Sequence, residues 1–423
     1  MNKNLISRRS FGLRMLGTSI TASSLLPALT KKLYAAPLPA AAVNPHDRIL
    51  CFVGGYTAHR PKGTDGNGPG ITVFEMDRKT GNLSPISVFT DIASPSFITL
   101  SHDKKFLYAV NEIDDFNKEG DGSVTSFSVD PASGNLQRLN VVSSGGAVPA
   151  HLSVDHSGKY VLVANYVGGS VAVLPIKPDG SLDQPVEVIK NTGPRMPERA
   201  EDNPPGNFAI SDHTSSHVHM VQSDPTGRFV VADDAGLDRI YVWSIDSKTG
   251  KLTPAQYPYL DMTPGSAPRH FVFSKDGKRL YNLCEQNSKV VYSHFDPTTG
   301  KITPQQTVST VTPHFKGSTL AAEIVFSHNE KFIYASNRLG NSIAVFKVSP
   351  DGLLTLIDET WMHADYGRAL MFDPSGTFLF CANQKSDSVT AFRANPKTGK
   401  LDFTWNFTPI GSPTTFEFLV VPK

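Results

Sequence analysis

The residues of this chain that can do chemistry stand at the ends of short apolar runs. Pro268-Arg269-His270 opens one run, and Glu285 closes the next. Glu323 and Arg368 open two more, Arg338 closes another, and His151 and the His217-Val218-His219 pair open runs of their own. Guanidinium groups bind carboxylates and polarised carbonyl oxygens, while imidazoles and carboxylates exchange protons near neutral pH. Gathered at one place, these residues would form an anion or carbonyl site with acid and base groups beside it. Kept apart, they would be solvated ion pairs that only fix the angles between neighbouring elements.

The phrase His213-Thr214-Ser215-Ser216-His217-Val218-His219 offers three imidazoles, and His217 and His219 would share one face of a strand. No nearby carboxylate or cysteine spacing completes a familiar metal site, and the rest of the 13 histidines are scattered. Neither a metal nor a cofactor is expected. Cys51, Cys284 and Cys381 all fall in strand-like runs and are too few for a disulfide framework, so inert buried thiols are expected.

Two alternating phrases supply the elements that must position these groups. One occurs seven times, as in VFEMDRKTGNL from Val73, VWSIDSKTGKL from Val242 and AFRANPKTGKL from Ala391. It is an alternating strand followed by a Gly-containing hairpin turn. The other occurs six times, as in VDHSGKYVLVANY from Val154, SDPTGRFVVADD from Ser223 and FDPSGTFLFCANQ from Phe372. It is a turn feeding a strand that ends in a small residue and a polar pair.

Each period, roughly 45 to 70 residues, has room for four short strands, the size of a propeller blade. The mismatch of seven against six is informative. The first copy enters at Ile49-Leu50-Cys51-Phe52-Val53 without an inner strand, and Thr415 to Val421 forms a strand with no partners of its own. Pairing the two removes two exposed edges. The sequence therefore predicts an all-β, seven-bladed β-propeller over residues 49–423, preceded by a linker over 37–48 and closed by its C-terminal strand pairing into the N-terminal blade. No copy ends in Trp-Asp, which disfavours WD-type repeats.

In such a blade the start of the innermost strand and the end of the next lie at the same mouth of the channel. The starts supply Ser96, His151, His217 or His219, Arg269 with His270, Glu323 and Arg368. The ends supply Asn111 with Glu112, Asn165 with Tyr166, Asp233 with Asp234, Glu285, Asn337 with Arg338, and Asn383 with Gln384. The long insert over 191–212 precedes an inner strand and is expected to drape over this mouth, as a lid or as a plain loop.

The two phrases, together with PRHFVFSKDGKRLYNLCE, AAEIVFSHNEKFIYASNR, GRALMFDPSGTFLFCANQ and the Gly-Pro…Glu-Arg…His-x-His segment, resemble the seven-bladed lactonase family. That family includes bacterial propeller-type 6-phosphogluconolactonases and the fungal carboxy-cis,cis-muconate cyclase. The resemblance runs from Leu50 to Val421 and implies seven blades, lactone chemistry and no metal. It implies a catalytic set of His219, Arg269, Glu285 and Arg338, with His217 and Glu323 close by. Arg368 and His151 join these as expected substrate-binding residues.

Opening a lactone places negative charge on the carbonyl oxygen, which Arg269 or Arg338 would stabilise, while His219 or Glu285 would activate water. Closing a diene acid into a lactone needs the same groups, so the residues leave hydrolase and cycloisomerase both open. A non-catalytic periplasmic binding or interaction propeller is the third reading. Two features depart from the family pattern: Pro413-Thr414-Thr415 brings no charge to its ring position, and Arg368 follows Gly367 rather than Pro.

Ser7-Arg8-Arg9-Ser10-Phe11-Gly12-Leu13 resembles a twin-arginine export signal. A weakly apolar stretch from Met15 to Leu29 and the run Tyr34-Ala35-Ala36 follow it. Residues 1–36 are expected to be that signal, read by the twin-arginine export machinery, with the mature protein periplasmic or secreted. The stretch is too short and polar for a membrane anchor, and no later run approaches the ~20 residues a span needs. Residues 1–36 hold six basic residues and no acidic one, so the remainder carries 34 basic and 39 acidic residues, net −5. That balance gives no general attraction to nucleic acid or anionic lipid and leaves a small lactone or carboxylate as the expected ligand.

Overall fold

A computed structural model describes residues 44, 46–58 and 66–422 of the chain. The expected export signal over 1–36 lies outside the described residues. The rest folds into seven four-stranded antiparallel sheets, numbered here as blades 1 to 7 from the N-terminal sheet. Six blades use four consecutive strands. In blade 1, Pro413–Val421 pairs with Arg48–Gly55, setting Cys51 opposite Phe418 and Val53 opposite Phe416. The orphan terminal strand thus closes the ring, as the repeat count predicts, and the architecture is a seven-bladed β-propeller.

The second repeat phrase makes a turn because its acidic residue binds the backbone that follows. Asp224 accepts hydrogen bonds from the backbone N–H groups of Thr226, Arg228 and Phe229, and Asp373 does the same for Ser375, Thr377 and Phe378. The first phrase turns on its glycine and docks one blade onto the next. Gly399 has φ +77°, and a Cβ there would lie 2.4 Å from the Phe332 ring of blade 6. Gly81, in blade 1, meets Phe378 of blade 7 in the same way.

The core lies in layers between blades. One layer joins Tyr281 and Tyr292 of blade 5 to Ile333 and Phe346 of blade 6, and another joins Phe380 of blade 7 to Phe74 and Phe418 of blade 1. Cys51, Cys284 and Cys381 are free, buried thiols. No helix among the described residues is long and apolar enough to cross a membrane.

Candidate active site

Register brings the predicted ring positions together at one mouth. The inner strands start opposite the ends of their neighbours, with Pro268 facing Cys284, Leu320 facing Arg338 and Gly367 facing Asn383. In every blade but blade 2 the ladder carries a bulge just inside this start, which leaves His219, Arg269 and Arg368 without a cross-strand partner in blades 4, 5 and 7. In blade 6 the bulge spans Ala322 and Glu323. A bulge re-aims the side chain it carries, which accounts for so many polar groups leaving the ladder at the same level.

The approach to the inner strands is strained. Val148, Ala267 and Tyr366 each precede one with φ between 53° and 64°, at a cost of about 1–3 kcal/mol each. The turn that enters blade 5 is held by the buried Asp238 of blade 4, which accepts from Gly265 N at 2.6 Å and Ala267 N at 2.7 Å.

Glu285 is the hub. Its Oε2 lies 2.9 Å from Arg269 Nε, an ion pair whose N–H is not aligned as a hydrogen bond. Arg338 Nη2 donates to the same oxygen at 2.5 Å, and Ser211 Oγ donates to Oε1 at 2.8 Å. Both arginines are almost wholly buried, at 1% and 4% exposure. Arg269 also donates to the Ala322 carbonyl, and Arg338 Nη1 reaches the Tyr366 hydroxyl at 3.4 Å. Burial pushes the Glu285 carboxyl up, but the fields of Arg338 and Arg269 overcome it and bring it down to about 2. Burial and the repulsion of Arg338 and Arg368 lower Arg269 to about 9, which leaves it protonated at neutral pH.

Beside this hub lies a histidine cluster. The His270 ring sits 5.0 Å from His219 and 5.6 Å from His151, with Phe97 at 6.2 Å. His270 Nδ1 is 2.9 Å from Glu323 Oε1. Burial, then the nearby cations, holds His219 and His270 well below the usual imidazole range; burial and the neighbouring His270 and Arg269 do the same to His151. Burial raises Glu323 to about 8 against the pull of Arg269.

At the rim, Arg368 lies over the Tyr56 ring at 5.3 Å, and Tyr56 donates to Glu112 at 2.7 Å. His217 stacks on Tyr166 at 4.6 Å, and the Tyr166 ring in turn meets His219 at 5.6 Å. The insert crosses the mouth from blade 4 to blade 6: Asn207 Nδ2 donates to the carbonyls of Gln286 and Thr319, and Asp202 pairs with Lys289. The backbone at Arg199 and Ala200 passes so close to Gly265 that a Cβ there would lie 2.4 Å from it.

The eight predicted site residues His151, His217, His219, Arg269, Glu285, Glu323, Arg338 and Arg368 therefore all reach this mouth. Other ring positions turn away into the blades. Asn111 and Asn383 bind Thr125 and Thr390 on their own third strands, and Asn165 and Asn337 bind Ser170 and Ser342. Asp234 caps the backbone at His217 and Leu237, and Asp233, raised to about 8 by burial, pairs with Asn282 in the wall.

The histidines of the 213–219 phrase also point to different partners. His213 faces Asp238 at 3.4 Å, while His217 Nδ1 is 3.0 Å from the Tyr166 carbonyl oxygen. Among the described residues no group of three or more His, Cys, Asp or Glu converges to hold a metal.

Sequence reasoning passed over Tyr56, Ser211 and Tyr366. Tyr56 occupies the mouth position of blade 1, just after the Arg48–Gly55 strand, and the register of that blade would have shown it. Ser211 and Tyr366 carry no local signal.

A model of the family described as "Lactonase, 7-bladed beta-propeller" matches residues 50–418. The chain is 30% identical to the 6-phosphogluconolactonase of Bacillus subtilis (strain 168) over 373 residues, covering 88% of this chain and 99% of that one. A 6-phosphogluconolactonase of Formosa agariphila is also 30% identical, over 83% of this chain and 94% of its own length. The solved structure of the periplasmic gluconolactonase of Pseudomonas aeruginosa superposes with a TM-score of 0.78 at 30% identity, covering 89% of this chain and all of that one. Blade count, closure and match across nearly the whole propeller agree: the chain belongs to the seven-bladed β-propeller lactonase family.

Proposed function

We propose that the protein hydrolyses the ring ester of a sugar-derived lactone carrying no phosphate, at the mouth where Arg269, Glu285 and Arg338 meet. The observation that carries this reading is a pair of buried guanidiniums sharing one carboxylate. Arginine has five N–H donors, so both side chains keep donors for a substrate oxygen while bound to Glu285. Such fixed donors stabilise the negative charge that water attack builds on a lactone carbonyl. Glu285, held near 2 by its partners, serves as the anchor of the arginines; a group of that acidity is a weak proton acceptor at neutral pH. His219, His151, His217 and Arg368 line the approach and fit the hydroxyls and ring of a polyol lactone.

The relatives named for gluconolactone and its 6-phosphate support the substrate class. The twin-arginine phrase at Ser7–Leu13 favours the unphosphorylated form, because it would carry the protein away from the compartment where sugar phosphates are made. By the same reading the mature protein is periplasmic or secreted. Purified protein, offered glucono-1,5-lactone, its 6-phosphate and carboxymuconate, should release acid fastest from the first. Turnover of carboxymuconate alone would contradict the hydrolase reading. An Arg8→Lys, Arg9→Lys variant should leave the precursor in the cytoplasm, and normal export of it would contradict the twin-arginine route.

A further inference from the structure

Hydrolysis needs a group that takes a proton from water, and Glu285, pinned by two arginines, does not suit it. We propose that His270, oriented by Glu323, is that proton acceptor; the assignment rests on the lactonase reading above.

Glu323 Oε1 lies 2.9 Å from His270 Nδ1 and also accepts the Ile324 N–H at 3.1 Å. Once Glu323 is ionised, an oxygen that receives both N–H groups fixes the imidazole with its proton on Nδ1 and a lone pair on Nε2, the arrangement a histidine base requires. His270 Nε2 is buried and has no protein partner. A polar nitrogen in that position is satisfied by a channel water or by substrate. The ring belongs to blade 5 yet meets Phe97 of blade 2, His151 of blade 3 and His219 of blade 4, so it projects into the middle of the channel.

Neither neighbouring imidazole has this arrangement. His151 Nδ1 is spent accepting the Val221 N–H at 3.5 Å, and His219 Nδ1 is without a partner, with no carboxylate orienting the ring. Among the described residues of the cluster, His270 alone combines an orienting carboxylate with an uncommitted second nitrogen.

The charged groups facing His270 are Glu323, the adjacent Arg269, Arg368 from blade 7, and Arg338 and Glu285 across the hub. Burial, then the arginines, keeps the imidazole neutral, and burial keeps Glu323 protonated until about pH 8. Below that limb the neutral carboxyl donates its O–H as a hydrogen bond to Nδ1, and Nε2 carries the ring hydrogen. Above it the carboxylate takes the Nδ1–H, and Nε2 becomes an acceptor. In the reaction Nε2 then takes one proton from water as the water oxygen bonds to the lactone carbonyl carbon. The acyl–oxygen bond of the ring breaks, and the same proton passes from Nε2 to the departing ring oxygen. Water has been added across the ester, and the new carboxylic acid ionises to solvent.

Nitrogen-15 NMR of the histidine rings in the full chain tests the dyad without reference to any substrate, with His270 assigned by its loss in His270→Gln. We expect His270 to change from the Nε2–H to the Nδ1–H form near pH 8, and Glu323→Gln to abolish the change. An Nε2–H ring at every pH from about 6 to 9.5 in the wild type would overturn the proposal. On a lactone that the wild type turns over, His270→Gln should lower kcat by about 100-fold or more with KM altered much less, and Glu323→Gln should erase the limb. A His270→Gln enzyme with wild-type kcat and limb would overturn the base while leaving the lactonase reading intact. A wild type inert toward every lactone would remove the hydrolytic step itself, whatever the tautomer shows.

Discussion

At the scale of single residues, charge and burial oppose each other at this mouth, and the winner differs from group to group. Glu285 is held down to about 2 because two guanidiniums outweigh its burial, whereas Asp233, with only Asn282 as a neutral partner, is pushed up to about 8. The two therefore affect stability with opposite signs. The lowered Glu285 contributes stability above its unfolded value near 4.5, and that contribution is lost as pH falls from there toward 2. Replacing it with Gln also leaves buried arginines without their counter-charge, at a cost of about 3 kcal/mol or more. Denaturant unfolding of Glu285→Gln should show that loss at pH 7 and a flatter acid limb. Equal stability at pH 7 would mean that the arginines find other partners.

The raised Asp233 works the other way, costing stability as pH climbs from about 4 to 8. Asp233→Asn should unfold at higher denaturant than wild type at pH 8 and lose that advantage near pH 4. The arginines and Glu285 were legible in the sequence because charges at strand ends are conspicuous. The partnership of His270 with Glu323 was not, since it joins residues 53 positions apart across two blades.

At the scale of elements, two devices recur around the ring: a bulge just inside the inner strand of six blades, all but blade 2, and a glycine latch at the hairpin between third and fourth strands. The latch was half legible. Gly at a positive-φ turn follows from the repeat phrase, but its packing against the preceding blade, on an aromatic ring in every blade except blade 2, where Gly134 meets Leu50, is tertiary. The bulge was invisible, because a strand reads the same with or without a slipped partner. Gly399→Ala would force both a strained φ and a clash with Phe332. We expect it to lower stability by about 1–3 kcal/mol in thermal unfolding. The turn lies at the opposite end of its blade from the mouth, so turnover at low temperature should be unaffected. An unchanged melting temperature would contradict the latch. The insert over 191–212, expected as a lid or a loop, does cover the mouth, and Ser211 ties it directly to Glu285.

At the scale of the whole molecule, closure was the most legible feature, because seven copies of one phrase and six of another leave a single strand over. That strand pairs with Arg48–Gly55 along its length and completes the layer between blades 7 and 1. A chain ending at Ser412 would expose the edge of the Arg48–Gly55 strand and a hydrophobic layer at once. It should be recovered as aggregate, and a monodisperse β-sheet protein would show that closure is dispensable.

The ring also explains how a site can draw Arg269 and Glu285 from blade 5, Arg338 from blade 6 and Arg368 from blade 7: every blade delivers its strand ends to the same rim. That convergence is the central claim, and the kinetics of Arg269→Lys on glucono-1,5-lactone in a pH-stat test it most directly. Lysine keeps the charge but loses the fork of donors, so kcat should fall by about 100-fold or more while the protein stays folded. A folded Arg269→Lys enzyme with wild-type kcat would contradict the assignment of the reaction to this mouth.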